Sequence, residues 1–123
     1  MPLLLKFSKM KNLIMILCLI FVGLSAKAQE KKNKNAKYSI DVNGNCEQCK
    51  KRIEKAAYNI AGVKSAVWSV QTHQLDLILN EEKTSISVIK KAMAKVGHDA
   101  EEEKALDEVY DNLHHCCKYE RKK

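Results

Sequence analysis

The stretch Ile40-Asp41-Val42-Asn43-Gly44-Asn45-Cys46-Glu47-Gln48-Cys49 decides how the rest of the chain is read. It begins inside an alternation in which Tyr38, Ile40 and Val42 are apolar and Lys37, Ser39 and Asp41 are polar, the period of a strand with one wet face. Asn43-Gly44-Asn45 then reads as a turn. Past the cysteines, Ile53, Ala56, Ala57 and Ile60 recur at i, i+3, i+4 and i+7, so an amphipathic helix follows, with Gly62 as its stop. The Cys-x-x-Cys therefore stands at the mouth of a helix. There it can bring two sulfurs onto one metal within a single turn, and the unpaired N–H groups and dipole of the helix favour thiolate.

Working towards the C-terminus, Ala66, Trp68 and Val70 alternate, Gln71-Thr72-His73 can turn, and Leu75, Leu77 and Leu79 alternate again, which describes a hairpin. Thr84 or Ser85 can cap a second helix whose buried stripe is Ile86, Ile89, Met93 and Val96, stopped by Gly97. A short strand near His98-Asp99-Ala100 would complete the sheet. The order strand, helix, strand, strand, helix, strand predicts an α+β domain of the split βαβ kind over residues 37–100. One more helix is expected beyond it, because Leu106, Val109, Tyr110 and Leu113 repeat at helical spacing. With the His114-His115-Cys116-Cys117 end, it forms a C-terminal tail over 101–123. A stripe on so short a helix implies a docking surface, and the uncovered face of the sheet is the expected receiver.

Towards the N-terminus the chain changes character. Lys6, Lys9 and Lys11 precede an apolar run from Leu13 to Leu24, and Ala26-Lys27-Ala28 supplies the small-x-small pattern of a signal peptidase site. Residues 1–28 are read as a signal peptide and Gln29 as the first residue of the mature protein. The run is shorter than the roughly 20 residues a spanning helix needs, which favours a cleaved signal over an uncleaved anchor, and no stable membrane insertion is expected after cleavage. Export implies a periplasmic or secreted protein. Residues 29–36 are polar and aperiodic, a flexible leader.

The formal net charge of +7 falls to +3 when the signal segment leaves with its four lysines, Lys6, Lys9, Lys11 and Lys27. Aromatic residues are sparse and not interleaved with the remaining basic ones, so nucleic-acid binding has no support. The 95 residues from Gln29 onwards suit one small domain. Four of the five cysteines lie in it, Cys46, Cys49, Cys116 and Cys117, and an exported protein can hold them as thiols, as metal ligands or as disulfides.

Soft thiolates prefer soft ions, which points first to Cu(I), with Hg(II), Zn(II) and Cd(II) as chemically reasonable occupants of Cys46 and Cys49. Structural zinc wants four closed ligands, which this pair supplies only if Cys116, Cys117 or the adjacent histidines come near. A thiol–disulfide redox protein is the other reading of a Cys-x-x-Cys after a strand. Against it, the single proline is Pro2, so the mature chain has no proline to face the cysteines as in thioredoxin-like proteins. Lys50, Lys51 and Arg52 follow the second cysteine, where positive charge would offset two thiolates or steer an acidic partner. His73 reads as a surface turn residue, and Trp68 as core.

These residues resemble the heavy-metal-associated domain family: soluble copper chaperones, N-terminal modules of copper-exporting ATPases, and periplasmic mercury-binding proteins. The match runs from Ile40 to Cys49, then through Ile53-Glu54-Lys55-Ala56, Gly62-Val63, Ala66-Val67 and Gly97-His98-Asp99-Ala100. The resemblance implies a ferredoxin-like βαββαβ fold and a non-enzymatic protein. It would hold metal through Cys46 and Cys49 and exchange it with a donor or acceptor protein such as a copper transporter. His98 stands where relatives carry Tyr, Phe or Lys beside the metal, which makes it a candidate third ligand, with Cys116 and Cys117 as candidate auxiliary ones. One departure is visible: Gly44-Asn45 replaces the family's Gly-Met-Thr, which removes the Met that packs beneath the loop.

Overall fold

The computed structural model describes residues 2–25 and 31–122. They form two units divided near Lys31 and Lys32. The first holds one helix, α1, Pro2–Ser25. From Met10 to Ile20 its large apolar side chains are all exposed. Among the described residues no helix is long and apolar enough to cross a membrane. The expected cleavage site, Ala26 to Gln29, lies outside the described residues.

The second unit carries the order β1 (Ala36–Asp41), α2 (Glu47–Tyr58), β2 (Val63–Trp68), β3 (Gln74–Leu79), α3 (Ile86–Lys95) and α4 (Asp107–Asp111). The strands form an antiparallel sheet ordered β1-β3-β2, so the hairpin strand β3 sits in the middle and β1 has crossed over to its far side. Alternation works as the sequence predicts: Ile40, Ala66, Trp68, Leu75, Leu77 and Leu79 are buried, and Ile53, Ala57, Ile89 and Met93 join them in one apolar core. Tyr38 departs from the pattern. It keeps 38% of its surface and its hydroxyl bonds the Glu81 carboxylate, because the sheet edge gives a ring both a dry side and a wet rim.

Ser85 caps α3 by accepting from the Val88 N–H, and Gly62 and Gly97 follow α2 and α3 with φ of +101° and +100°, the left-handed conformation glycine adopts without cost. Order starts before Lys37. The Asn33 N–H donates to Glu81 Oε2 at 2.7 Å, the Glu81 N–H returns a bond to the Asn33 carbonyl at 3.0 Å, and Ala36 is buried.

Two predicted elements are shorter than expected. The fourth strand shrinks to a single bridge, Val42 to Ala100, flanked by bonds from the Asn43 N–H to the Asp99 carbonyl and from the Glu101 N–H to the Asp41 carbonyl. It stops there because Glu101 takes φ +50° and the chain doubles back to pair Ala100 with Glu103. The C-terminal helix likewise shrinks to the five residues of α4, with Leu106 at its N-cap 71% exposed, and a 3₁₀ turn follows at His115–Cys117. So short a helix is held by packing rather than propensity.

The tail does not cover the open sheet face. A shallow depression there is lined only by strand residues, Lys37, Tyr38, Ser39, Ser65, Val67, Asp76, Leu77 and Ile78, and Val67 keeps 52% of its surface. The tail instead folds onto the end of α3. Leu113 packs on Gly97, where even a Cβ would meet its Cδ2 at 2.9 Å.

Candidate metal centre

Cys46 is the N-cap of α2 and Cys49 lies in its first turn, so the loop after β1 aims both sulfurs at one point, 3.2 Å apart. The loop is seated on Trp68. A Cβ on Gly44 would stand 3.0 Å from the indole Cη2 and 3.1 Å from Cys49 Cβ, so glycine lets the chain pass this close without a neighbour having to shift. Trp68 is fully buried and donates from Nε1 to the Val42 carbonyl at 2.9 Å, while the ring of His73 stacks on it at 5.8 Å. The indole thus fills the space beneath the loop, and His73, expected only at the surface, helps to hold it.

The tail delivers two further thiols. The 3₁₀ turn at His115–Cys117 points adjacent cysteines the same way, with their sulfurs 3.9 Å apart. Cys46 Sγ lies 3.6 Å from Cys116 Sγ and 3.3 Å from Cys117 Sγ, and the three form a group of candidate ligand atoms within 4.8 Å of one another. All four cysteines are free thiols. Cys49 Sγ faces Asn45 Oδ1 at 3.6 Å, and Cys116 Sγ donates to Gln48 Oε1 at 3.3 Å. His114 and His115 stay exposed, their rings 4.6 Å apart, and do not belong to the sulfur group.

His98 does not belong to that group either. It is fully buried, its Nδ1–H donates to the Asn43 carbonyl at 2.8 Å, and its ring stacks on Tyr119 at 5.7 Å. Nε2 has no hydrogen-bond partner. Burial and then the nearby Arg52 charge push its pKa down to about 4 against the pull of the Asn43 carbonyl, so the imidazole is neutral at pH 7.

The cysteines divide electrostatically. Burial would raise the Cys46 thiol, but the Cys49 N–H and the neighbouring thiols of Cys49 and Cys117, either of which can turn its proton towards it, outweigh burial, and the balance brings it down to about 7. Burial pushes Cys49 up to about 12, and Cys116 rises to about 11 through desolvation and its sulfur neighbours. The Cys46 sulfur thus gives up its proton most readily, while Cys49 and Cys116 hold theirs. A metal ion replaces those protons, which is how thiol sites take up soft cations. The donor set is sulfur without nitrogen or carboxylate, as a soft ion wants.

The basic cluster after Cys49 is partly engaged. Lys50 Nζ donates to the Trp68 carbonyl at 2.7 Å and pairs with Glu54 at 3.5 Å, and Lys51 is exposed. Residues 119 and 121, which sequence reading passed over, anchor the tail. The Tyr119 hydroxyl donates to the Gly97 carbonyl at 2.9 Å and accepts from the Asp99 N–H at 2.8 Å. Arg121 closes on Asp99 and the Ala105 carbonyl, and lies over the Tyr110 ring at 4.9 Å. An aromatic and an arginine just past a ligand-rich stretch, with a matching aspartate after Gly97, were the available signal.

The heavy-metal-associated domain model matches residues 39–99. A copper-exporting P-type ATPase of Staphylococcus saprophyticus is 32% identical over 75 residues, 60% of this chain, and the chain spans 9% of that relative's length. The CopZ metallochaperone structure superposes with a TM-score of 0.52 at 30% identity, covering 53% of this chain and 98% of that one. The N-terminal domain of a potential copper-translocating P-type ATPase from Bacillus subtilis, in its Cu(I)-loaded state, gives 0.52 at 30% identity over 54% of this chain and 84% of that one. With family model, fold and Cys-x-x-Cys loop in agreement, the chain belongs to the heavy-metal-associated domain family.

Proposed function

We propose that the protein is an exported carrier or buffer of a soft metal ion, Cu(I) in the first place, which it holds through Cys46 and Cys49 without converting any substrate. The observation that carries this reading is the pair of free sulfurs 3.2 Å apart at the start of α2, one of them brought down to about 7. Such a pair binds a metal ion as thiolate and releases its protons to solvent. Relatives described as a metallochaperone, as a copper-exporting P-type ATPase and as the N-terminal domain of a potential copper-translocating one support copper as cargo and a transporter or chaperone as the donor or acceptor. Export rests on the charged start, the apolar run and Ala26-Lys27-Ala28, and predicts an intact mass beginning at Gln29.

The test is a titration of the reduced, metal-free protein with Cu(I) against a competing chelator. Cys46→Ser and Cys49→Ser should each lose most of the affinity and keep the fold. Either variant binding as tightly as the parent would overturn the assignment.

A further inference from the structure

We infer that Cys116 and Cys117 are ligands of the same ion, brought to it by a tail that docks as a strap, so that Cu(I) sits among at least three sulfurs and leaves only when the strap lifts. This rests on the reading of Cys46 and Cys49 as the primary pair. It adds a ligand set and a control of release that a two-cysteine loop lacks.

The first support is sulfur geometry. A soft ion with metal–sulfur bonds of about 2.3 Å in tetrahedral surroundings holds its sulfurs about 3.8 Å apart. The distances of 3.6 Å for Cys46 to Cys116 and 3.9 Å for Cys116 to Cys117 already suit that, and the 3.3 Å from Cys46 to Cys117 needs a small opening. Cys117 is fully buried, and a buried cysteine is ordinarily just a small apolar filler. Here, however, its neighbour is the sulfur that begins α2, and Cys116 joins from the next position in the chain.

The second support is that the docking is built rather than incidental. Tyr119 places its hydroxyl between the Gly97 carbonyl and the Asp99 N–H, both buried, and Arg121 closes on the buried Asp99 carboxylate. These anchors lie two and four residues past Cys117, so they fix the turn that presents the thiols. Binding releases the thiol protons to solvent and moves no electrons. A partner's thiol approaching a two-sulfur ion finds an open position; approaching this one, it meets Cys116 and Cys117 first.

The experiment loads the reduced full chain with Cu(I) and measures the sulfur coordination number by X-ray absorption, alongside retention against a chelator. The parent should show three sulfurs or more, the primary pair Cys46 and Cys49 joined by Cys116, Cys117 or both. Cys116→Ser/Cys117→Ser should fall to two and lose at least about tenfold in affinity. Cys116→Ser alone changes a half-buried thiol bonded to Gln48 and should fold as the parent does, which keeps the comparison valid if the buried Cys117→Ser misfolds. Arg121→Ala, with every thiol kept, should speed Cu(I) release to the chelator. Two-sulfur coordination in the parent, with unchanged affinity in the cysteine variants, would overturn the inference and leave the Cys46 and Cys49 reading standing. Unchanged binding in Cys46→Ser/Cys49→Ser would instead remove that reading.

Discussion

The Arg121 guanidinium grips the buried carboxylate of Asp99 in a fork, with Nη2 2.9 Å from Oδ1 and Nε 3.0 Å from Oδ2. The carboxylate also accepts the Ala105 N–H at 2.8 Å, and Arg121 Nη1 reaches Asp107 at 2.6 Å. Burial alone would raise the Asp99 carboxyl, but Arg121 and the Ala105 N–H hold it below its ordinary range. The pair ties the C-terminal tail to the segment that follows α3 and bridges back beside β1, and so holds the tail against the metal loop.

Arg121→Ala leaves Asp99 buried with its counter-charge gone. Removing one partner of a buried pair costs about 3 kcal/mol, here towards the low end because Arg121 keeps 22% of its side-chain surface. The melting temperature of the metal-free protein should fall by roughly 12–24 °C, given about 4–8 °C per kcal/mol for a domain of this size. A fall of a degree or less would mean that the tail is not anchored by this pair.

His98 sets the acid limit of stability. Its folded value of about 4 lies below the 6.5 of an unperturbed histidine, so the unfolded chain takes up the proton first as pH drops. The stability that depends on neutral His98 is complete above pH 6.5 and is lost as pH falls towards 4, about 3 kcal/mol in all at 1.36 kcal/mol per pH unit. Asp99 contributes in the same sense only below 3.8, outside this window. Melting at pH 7 and pH 4.5 should therefore show a drop in the parent that His98→Gln largely lacks. Equal slopes in both proteins would refute this role.

Gly44→Ala tests the seat of the loop. The added methyl meets Trp68 and Cys49 at 3.0–3.1 Å, and overpacking of that kind costs about 1–3 kcal/mol. Trp68 is the single tryptophan, so its fluorescence reports the disturbance directly. Red-shifted emission and weaker Cu(I) binding are expected. An unchanged spectrum and melt would show that the loop is not packed on the indole.

What could be read from the sequence was what local periodicity and turn chemistry decide. Ile40 and Val42, the stripe Ile53 to Ala57, the alternating Leu75, Leu77 and Leu79, and the stops at Gly62 and Gly97 each announce their element within a few residues. The remainder depends on contacts between distant segments. The fourth strand ends at Ala100 because Glu101 turns left-handed, and α4 is short while Tyr119 and Arg121 reach back to Gly97 and Asp99. No local period encodes those bonds. The site divides in the same way: spacing and resemblance reveal Cys46 and Cys49, whereas the approach of Cys116 and Cys117 follows from tail docking that spacing cannot express. His98 was placed near the metal by resemblance, and the structure seats it under Tyr119 with its Nδ1–H on Asn43.

The most direct measurement is native mass spectrometry of the reduced chain offered Cu(I) and Zn(II) together. The account predicts a Cu(I) adduct on the parent and none on Cys46→Ser/Cys49→Ser, with zinc unable to displace the copper. A copper adduct that persists on the double variant, or zinc retained in preference to copper by the parent, would contradict it.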